Sequence, residues 1–127
     1  MADNSDFHTA WMLNTERKCP SAFRGFAGLP VTLKVSVDSE HAVIDLIALD
    51  RDARRRAGHA SAAMRRFLAL ADEHGVTVEG SPVPLDGTTA EADLVRWYLG
   101  FGFAWDGVRL VREPTRRGRA AVVRANM

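Results

Sequence analysis

Between an apolar stretch that ends at Leu49 and an amphipathic one that begins near Ala60, the chain reads Arg55-Arg56-Ala57-Gly58-His59-Ala60. If a helix starts here, its first N–H groups have no partner inside the helix, and with the helix dipole they form a place for an anion. Phosphate suits such a place. Gly58 lets an oxygen approach the backbone with no Cβ in the way, Ala60 keeps the next position small, and Arg55 can set a guanidinium beside a pyrophosphate. Arg55, Arg56, Gly58, His59 and Ala60 are therefore the first candidate binding residues, for a ligand that carries phosphate.

The elements that must hold this segment can be read around it. Residues 30–37, PVTLKVSV, alternate Val31, Leu33, Val35 and Val37 with polar residues, DSEH supplies a turn, and AVIDLIAL at 42–49 is β-branched and apolar, which predicts an antiparallel hairpin. After the candidate loop, Ala60, Ala63, Met64, Phe67, Leu68 and Ala71 follow helical spacing with Arg65, Arg66, Asp72 and Glu73 opposite. Gly75 ends that helix by taking a left-handed conformation, and VTVEG at 76–80 follows as a strand, so strand, helix and strand make a parallel crossover. SPVPLDGTT is a loop in which Thr88 or Thr89 can cap a second helix over AEADLVRWYLG, with Leu94, Trp97 and Tyr98 on its inner face. FAWDGVRLVREP and RGRAAVVRA read as two closing strands joined by a turn around Pro114 to Gly118. Residues 1–29 show no clear period and are expected to be an irregular or helical lead-in.

Composition narrows the class. A chain of 127 residues that is 46% hydrophobic can bury one core unaided, so a single domain over 1–127 is expected. Cys19 is the sole cysteine, which excludes an internal disulfide and a thiolate metal cluster and fits a reducing cytoplasm. His8, His41, His59 and His74 show no metal-ligand spacing, so no metal is expected. The sequence holds no signal-peptide pattern and no apolar run of about eighteen residues, so neither secretion nor a membrane span is expected. Net charge is only +1, but the arginines gather at 51–66 and 109–124.

Arg55, Gly58 and Ala60 match the Q/R-x-x-G-x-G/A pyrophosphate loop of the GNAT family of acyl-CoA-dependent N-acyltransferases, and Tyr98-Leu99-Gly100-Phe101-Gly102-Phe103 matches the family's Tyr-x-x-x-Gly-Phe signature. The order strand, loop, helix ending in glycine, strand, helix, closing strands is also similar to the family's. The resemblance implies an α/β (α+β) fold: a mixed, mostly antiparallel sheet with a central splayed strand pair and flanking helices. It implies acetyl-CoA or another short acyl-CoA as co-substrate and transfer to an amine by direct attack. It further implies Tyr98 as the acid that protonates the departing thiolate, and Glu79, with Asp45 as its competitor, as the base that takes the amine proton. Backbone groups at Ala48 and Leu49 would pair with the pantetheine arm. Trp97 and Trp105 are assigned to packing.

The sequence also departs from the family pattern. Glu91 stands where the second motif often has asparagine, and about thirty residues replace the usual strand and two helices ahead of the hairpin. That region forms much of the acceptor pocket in the family, so the acceptor side is expected to be open, completed by a second subunit, or no longer catalytic, with a homodimer the simplest completion. The competing reading is a non-catalytic GNAT-like module that contacts nucleic acid or a protein partner, in the first case through the arginines at 109–124. Tyr98 then becomes a core-edge aromatic, and the glycine at the helix start an ordinary turn.

Overall fold

The computed structural model describes residues 5–18, 23–37, 41–50, 58–80 and 91–115. Among them are α1 (Ser5–Asn14), β1 (Glu16–Lys18), β2 (Phe23–Gly25), β3 (Val31–Val37), β4 (His41–Leu49), α2 (His59–His74), β5 (Thr77–Gly80), α3 (Glu91–Leu99), β6 (Ala104–Trp105) and β7 (Leu110–Arg112). The strands form one mixed sheet in the order β1-β2-β3-β4-β5-β7-β6. Only the β4–β5 pair is parallel, so the fold is α+β with a mostly antiparallel sheet, as the sequence led us to expect. No described helix is long and apolar enough to cross a membrane.

Cross-strand partners share a face of the sheet, so the register sorts the side chains. Val35 pairs with Ile44, Ile44 with Gly80, and Gly80 with Leu110, which places Ile44 and Leu110 on the face that carries the core. The other face holds Val43, Glu79 and Val111 in one row across β4, β5 and β7. β3 and β4 change register between Lys34/Val35: Lys34 faces Leu46 while Val35 faces Ile44, so Asp45 is the extra residue of a β-bulge. Ser36 Oγ donates to Asp45 Oδ2 at 2.6 Å, which holds the bulged carboxylate on the strand it interrupts.

α2 buries Ala63, Met64, Phe67, Leu68 and Ala71, the stripe read from its spacing. Gly75 ends it at φ 68°, ψ 37°, where Gly75 N–H donates to the Asp72 carbonyl and Val76 N–H to that of Ala71. α1 lies against α2: Phe7 and Trp11 meet Phe67 edge to face at 5.7 and 5.3 Å.

Two expectations need correction. The lead-in is ordered beyond an irregular start: α1 carries Phe7 and Trp11 into the core, and β1 and β2 extend the edge of the sheet. Arg24 ties these pieces together, its guanidinium donating to Thr15 Oγ1 at 2.7 Å and to the Met12 and Thr15 carbonyls. FAWDGVRLVREP is a hairpin in itself, β6 and β7 around Asp106–Arg109, because the Asp106 carboxylate accepts the Val108 and Arg109 N–H groups and Gly107 has φ 94°. The strand expected over RGRAAVVRA, its turn beyond Thr115, and the capping threonines lie outside the described residues.

Candidate functional site

The β4–β5 ladder runs from His41↔Thr77 to Ile44↔Gly80. Gly80 is the last described residue of β5, whereas β4 is described to Leu49; among the described residues the Asp45–Leu49 edge of β4 has no partner on the β5 side. A strand edge without a partner presents main-chain donors and acceptors. Ala48 and Leu49 are on it, paired on their other side with Thr32 and Val31.

Gly58 stands at the N-cap of α2 in the left-handed region, φ 80°, ψ 11°, and no side chain among the described residues caps the helix. The first intrahelical bond is Ala62 N–H to the Gly58 carbonyl, so the N–H groups of His59, Ala60 and Ser61 lie in the unpaired first turn. Among the described residues, a Cβ added at Gly58 would meet nothing within 4 Å. The backbone requires glycine there for its positive φ, a reason additional to the one read from the sequence. His59 and Ala60 are half-buried, and Arg55 and Arg56 lie outside the described residues.

Tyr98 is 1% exposed. Its ring packs on Phe103 at 5.0 Å and Trp97 at 5.3 Å, and it covers Gly80 so closely that a Cβ there would come within 2.6 Å of Tyr98 Cε1. Tyr98 is thus a core residue set over the last described rung of the β4–β5 ladder. Of the expected inner face of α3, Leu94 and Trp97 are half-buried, and Val95 joins Tyr98 in the core. The Trp97 indole N–H donates to Ser61 Oγ at 3.1 Å, which fixes α3 beside the first turn of α2. Sequence reading missed Gly80, Ser61 and this use of Trp97. A glycine closing a strand reads as a turn signal, and the Ser61–Trp97 bond joins residues 36 apart in sequence.

Glu79 is on the opposite face of β5 from Gly80. Arg109 Nη1 donates to its Oε1 at 3.2 Å, and His41 Nδ1 stands 3.7 Å from its Oε2. A water-mediated proton transfer to this carboxylate would have to compete with those two partners. Asp45 is exposed and engaged by Ser36. Glu91 begins α3 and is exposed.

The arginines at 109–124 that the sequence offered to nucleic acid are used internally where they are described. Arg109 pairs with Glu79. Arg112 is 6% exposed and gives Asp72 two bonds, Nη1 to Oδ1 at 2.8 Å and Nη2 to Oδ2 at 2.9 Å, while its Nε donates to the Phe101 carbonyl. Thr115 adds its N–H and Oγ1 to the same carboxylate. Burial opposes ionisation of Asp72, but these hydrogen bonds and the nearby guanidinium outweigh it and hold the carboxyl below its ordinary value. No group of three or more His, Cys, Asp or Glu among the described residues is gathered as a metal ion would need.

No protein-family model matches the chain, and no curated protein matches it. Among solved structures, the crystal structure of the anti-CRISPR protein AcrVA5 resembles it with a TM-score of 0.57 at 20% identity, over 65% of this chain and 88% of that one. At that identity the likeness concerns architecture.

Proposed function

We propose that the protein is an acyl-CoA-dependent N-acyltransferase that moves an acetyl or other short acyl group from its coenzyme A thioester to an amine. One observation carries this reading: the ring of Tyr98 packs on Gly80, which pairs with Ile44 in the parallel β4–β5 ladder. Beyond that rung a splay of β4 from β5 would suit a pantetheine arm, and the first turn of α2 at Gly58–Ser61 would suit its pyrophosphate. Holding thioester and amine together in the splay supplies several kcal/mol of barrier reduction through orientation alone.

The amine nitrogen attacks the thioester carbonyl carbon, the C–N bond forms and the C–S bond breaks. The departing thiolate takes the Tyr98 phenol proton, and the amine proton passes to Glu79 through water or directly to solvent. We place the reaction in the cytoplasm and assign the completion of the acceptor side to a second copy of the chain. A monomeric mass combined with turnover would contradict that assignment. AcrVA5 is an anti-CRISPR protein, and that role is its own; the amine acceptors to be tried with the present chain are small polyamines, amino sugars, peptides and modified nucleotides. The test is release of the coenzyme A thiol from acetyl-CoA, followed across a panel of those amines. Acceptor-dependent release supports the reading, and its absence with every amine, together with no acetyl-CoA binding, refutes it.

A further inference from the structure

We infer that Trp97 is a positioning residue, which through Ser61 sets the distance between the Tyr98 helix and the first turn of α2. The inference rests on the acyltransferase reading and adds a device to it. In that reading the acyl donor is one molecule held at two places, with its pyrophosphate at the start of α2 and its sulfur beside Tyr98. The two places belong to different helices, so their separation has to be set by something that joins the helices.

The Trp97–Ser61 bond does this. Ser61 is the third residue of α2, with its own N–H in the unpaired first turn, and its hydroxyl accepts from the Trp97 indole at 3.1 Å. Trp97 precedes Tyr98 in the chain, and the two rings meet edge to face at 5.3 Å and 76°. On its far side Trp97 meets Phe101 at 5.0 Å, so the indole is wedged between the acid candidate and the turn that ends α3. Both partners of the bond are half-buried, which protects it from exchange with water. Tilting α3 to move the Tyr98 hydroxyl breaks this bond, so the bond resists the tilt. Misplacement of a reacting group by about 1 Å can cost on the order of 10²-fold in rate.

The experiment compares Trp97→Phe, Ser61→Ala, their double variant and Ser61→Thr, which keeps the hydroxyl. Each deletion should lower kcat about tenfold with KM for acetyl-CoA within about twofold, and the double variant should be no slower than the slower single, because both remove one bond. Ser61→Thr should restore kcat, and Trp105→Phe should leave it unchanged. Without donor, the chain's three tryptophans give three indole 1H–15N signals. Trp97→Phe identifies one by its loss, and Ser61→Ala should shift that same one. Unchanged kcat in both single variants, additive losses, or an indole signal indifferent to Ser61→Ala overturns the inference while the acyltransferase reading stands. A parent protein that neither binds nor turns over acetyl-CoA overturns both.

Discussion

The ring of Tyr98 occupies the space that a side chain on Gly80 would need, with Cε1 and Cζ only 2.6 and 3.0 Å from an ideal Cβ. The ring cannot easily yield, since Phe103 and Trp97 flank it and the residue is buried. Gly80→Ala should therefore cost about 1–3 kcal/mol as overpacking, read as a lowered midpoint in denaturant. It should also lower turnover by displacing Tyr98. A variant as stable as the parent would show that the ring has room to shift.

Tyr98→Phe separates chemistry from packing. It keeps the ring over Gly80 and deletes the proton donor, so kcat should fall roughly 10²-fold to 10⁴-fold, the range for a general acid. Affinity for acetyl-CoA should change by less than about 1 kcal/mol, the net worth of one neutral hydrogen bond. Turnover equal to the parent would make Tyr98 a core aromatic and nothing more.

Asp72 joins α2 to β7, and its loss should be felt in both stability and pH response. Asp72→Asn leaves the Arg112 guanidinium buried without a counter-charge and should cost about 3 kcal/mol. Because the folded-state pKa of Asp72 is depressed, its contribution is present above the unfolded value of 3.8 and is lost as pH falls through the lower folded value. Between those two values the unfolded chain binds more protons, so stability rises with pH there. Acid titration should show a shallower loss below about pH 4 in Asp72→Asn than in the parent. Equal slopes would remove Asp72 from the acid response.

Much of the frame was legible because local signals agreed with it. Val31 to Val37 alternate, α2 shows its stripe, and Gly75 closes it, so hairpin, helix and parallel crossover all stand as read. α1 was legible only as one of two options for the lead-in: Phe7 and Trp11 are one helical turn apart, but their burial depends on Phe67, far along the chain. β1 and β2 are three residues each, too short for a period to register. The Asp106-Gly107 turn has a local signal, the Asp-Gly pair that favours tight hairpins, set inside an otherwise strand-like run. Arg112 belongs to the arginines that the sequence offers to nucleic acid, and its burial against Asp72, 40 positions earlier, is set by the fold. In the site, Gly58 and Tyr98 were visible from their motifs, whereas Gly80 and Ser61 acquire meaning only from what the fold sets against them.

Gly58 offers two effects that can be told apart. Leucine there adds a bulky side chain beside the first turn of α2 and also forces a branched residue to φ 80°, which costs about 1–2 kcal/mol. Asparagine tolerates that conformation far better. Both substitutions should weaken acetyl-CoA binding, but only Gly58→Leu should lower thermal stability clearly. Unchanged affinity in Gly58→Asn and Gly58→Leu alike would remove the pyrophosphate from the start of α2.

The most direct measurement of the acyltransferase reading is calorimetric titration of the purified protein with acetyl-CoA, set beside titration with duplex DNA at two salt concentrations. The reading predicts saturable acetyl-CoA binding in the micromolar range, about −7 to −8 kcal/mol, and no DNA binding at either salt. Absence of acetyl-CoA binding, with DNA binding that weakens steeply as salt rises, would contradict it and leave a shortened acyltransferase-like fold used as a binding module.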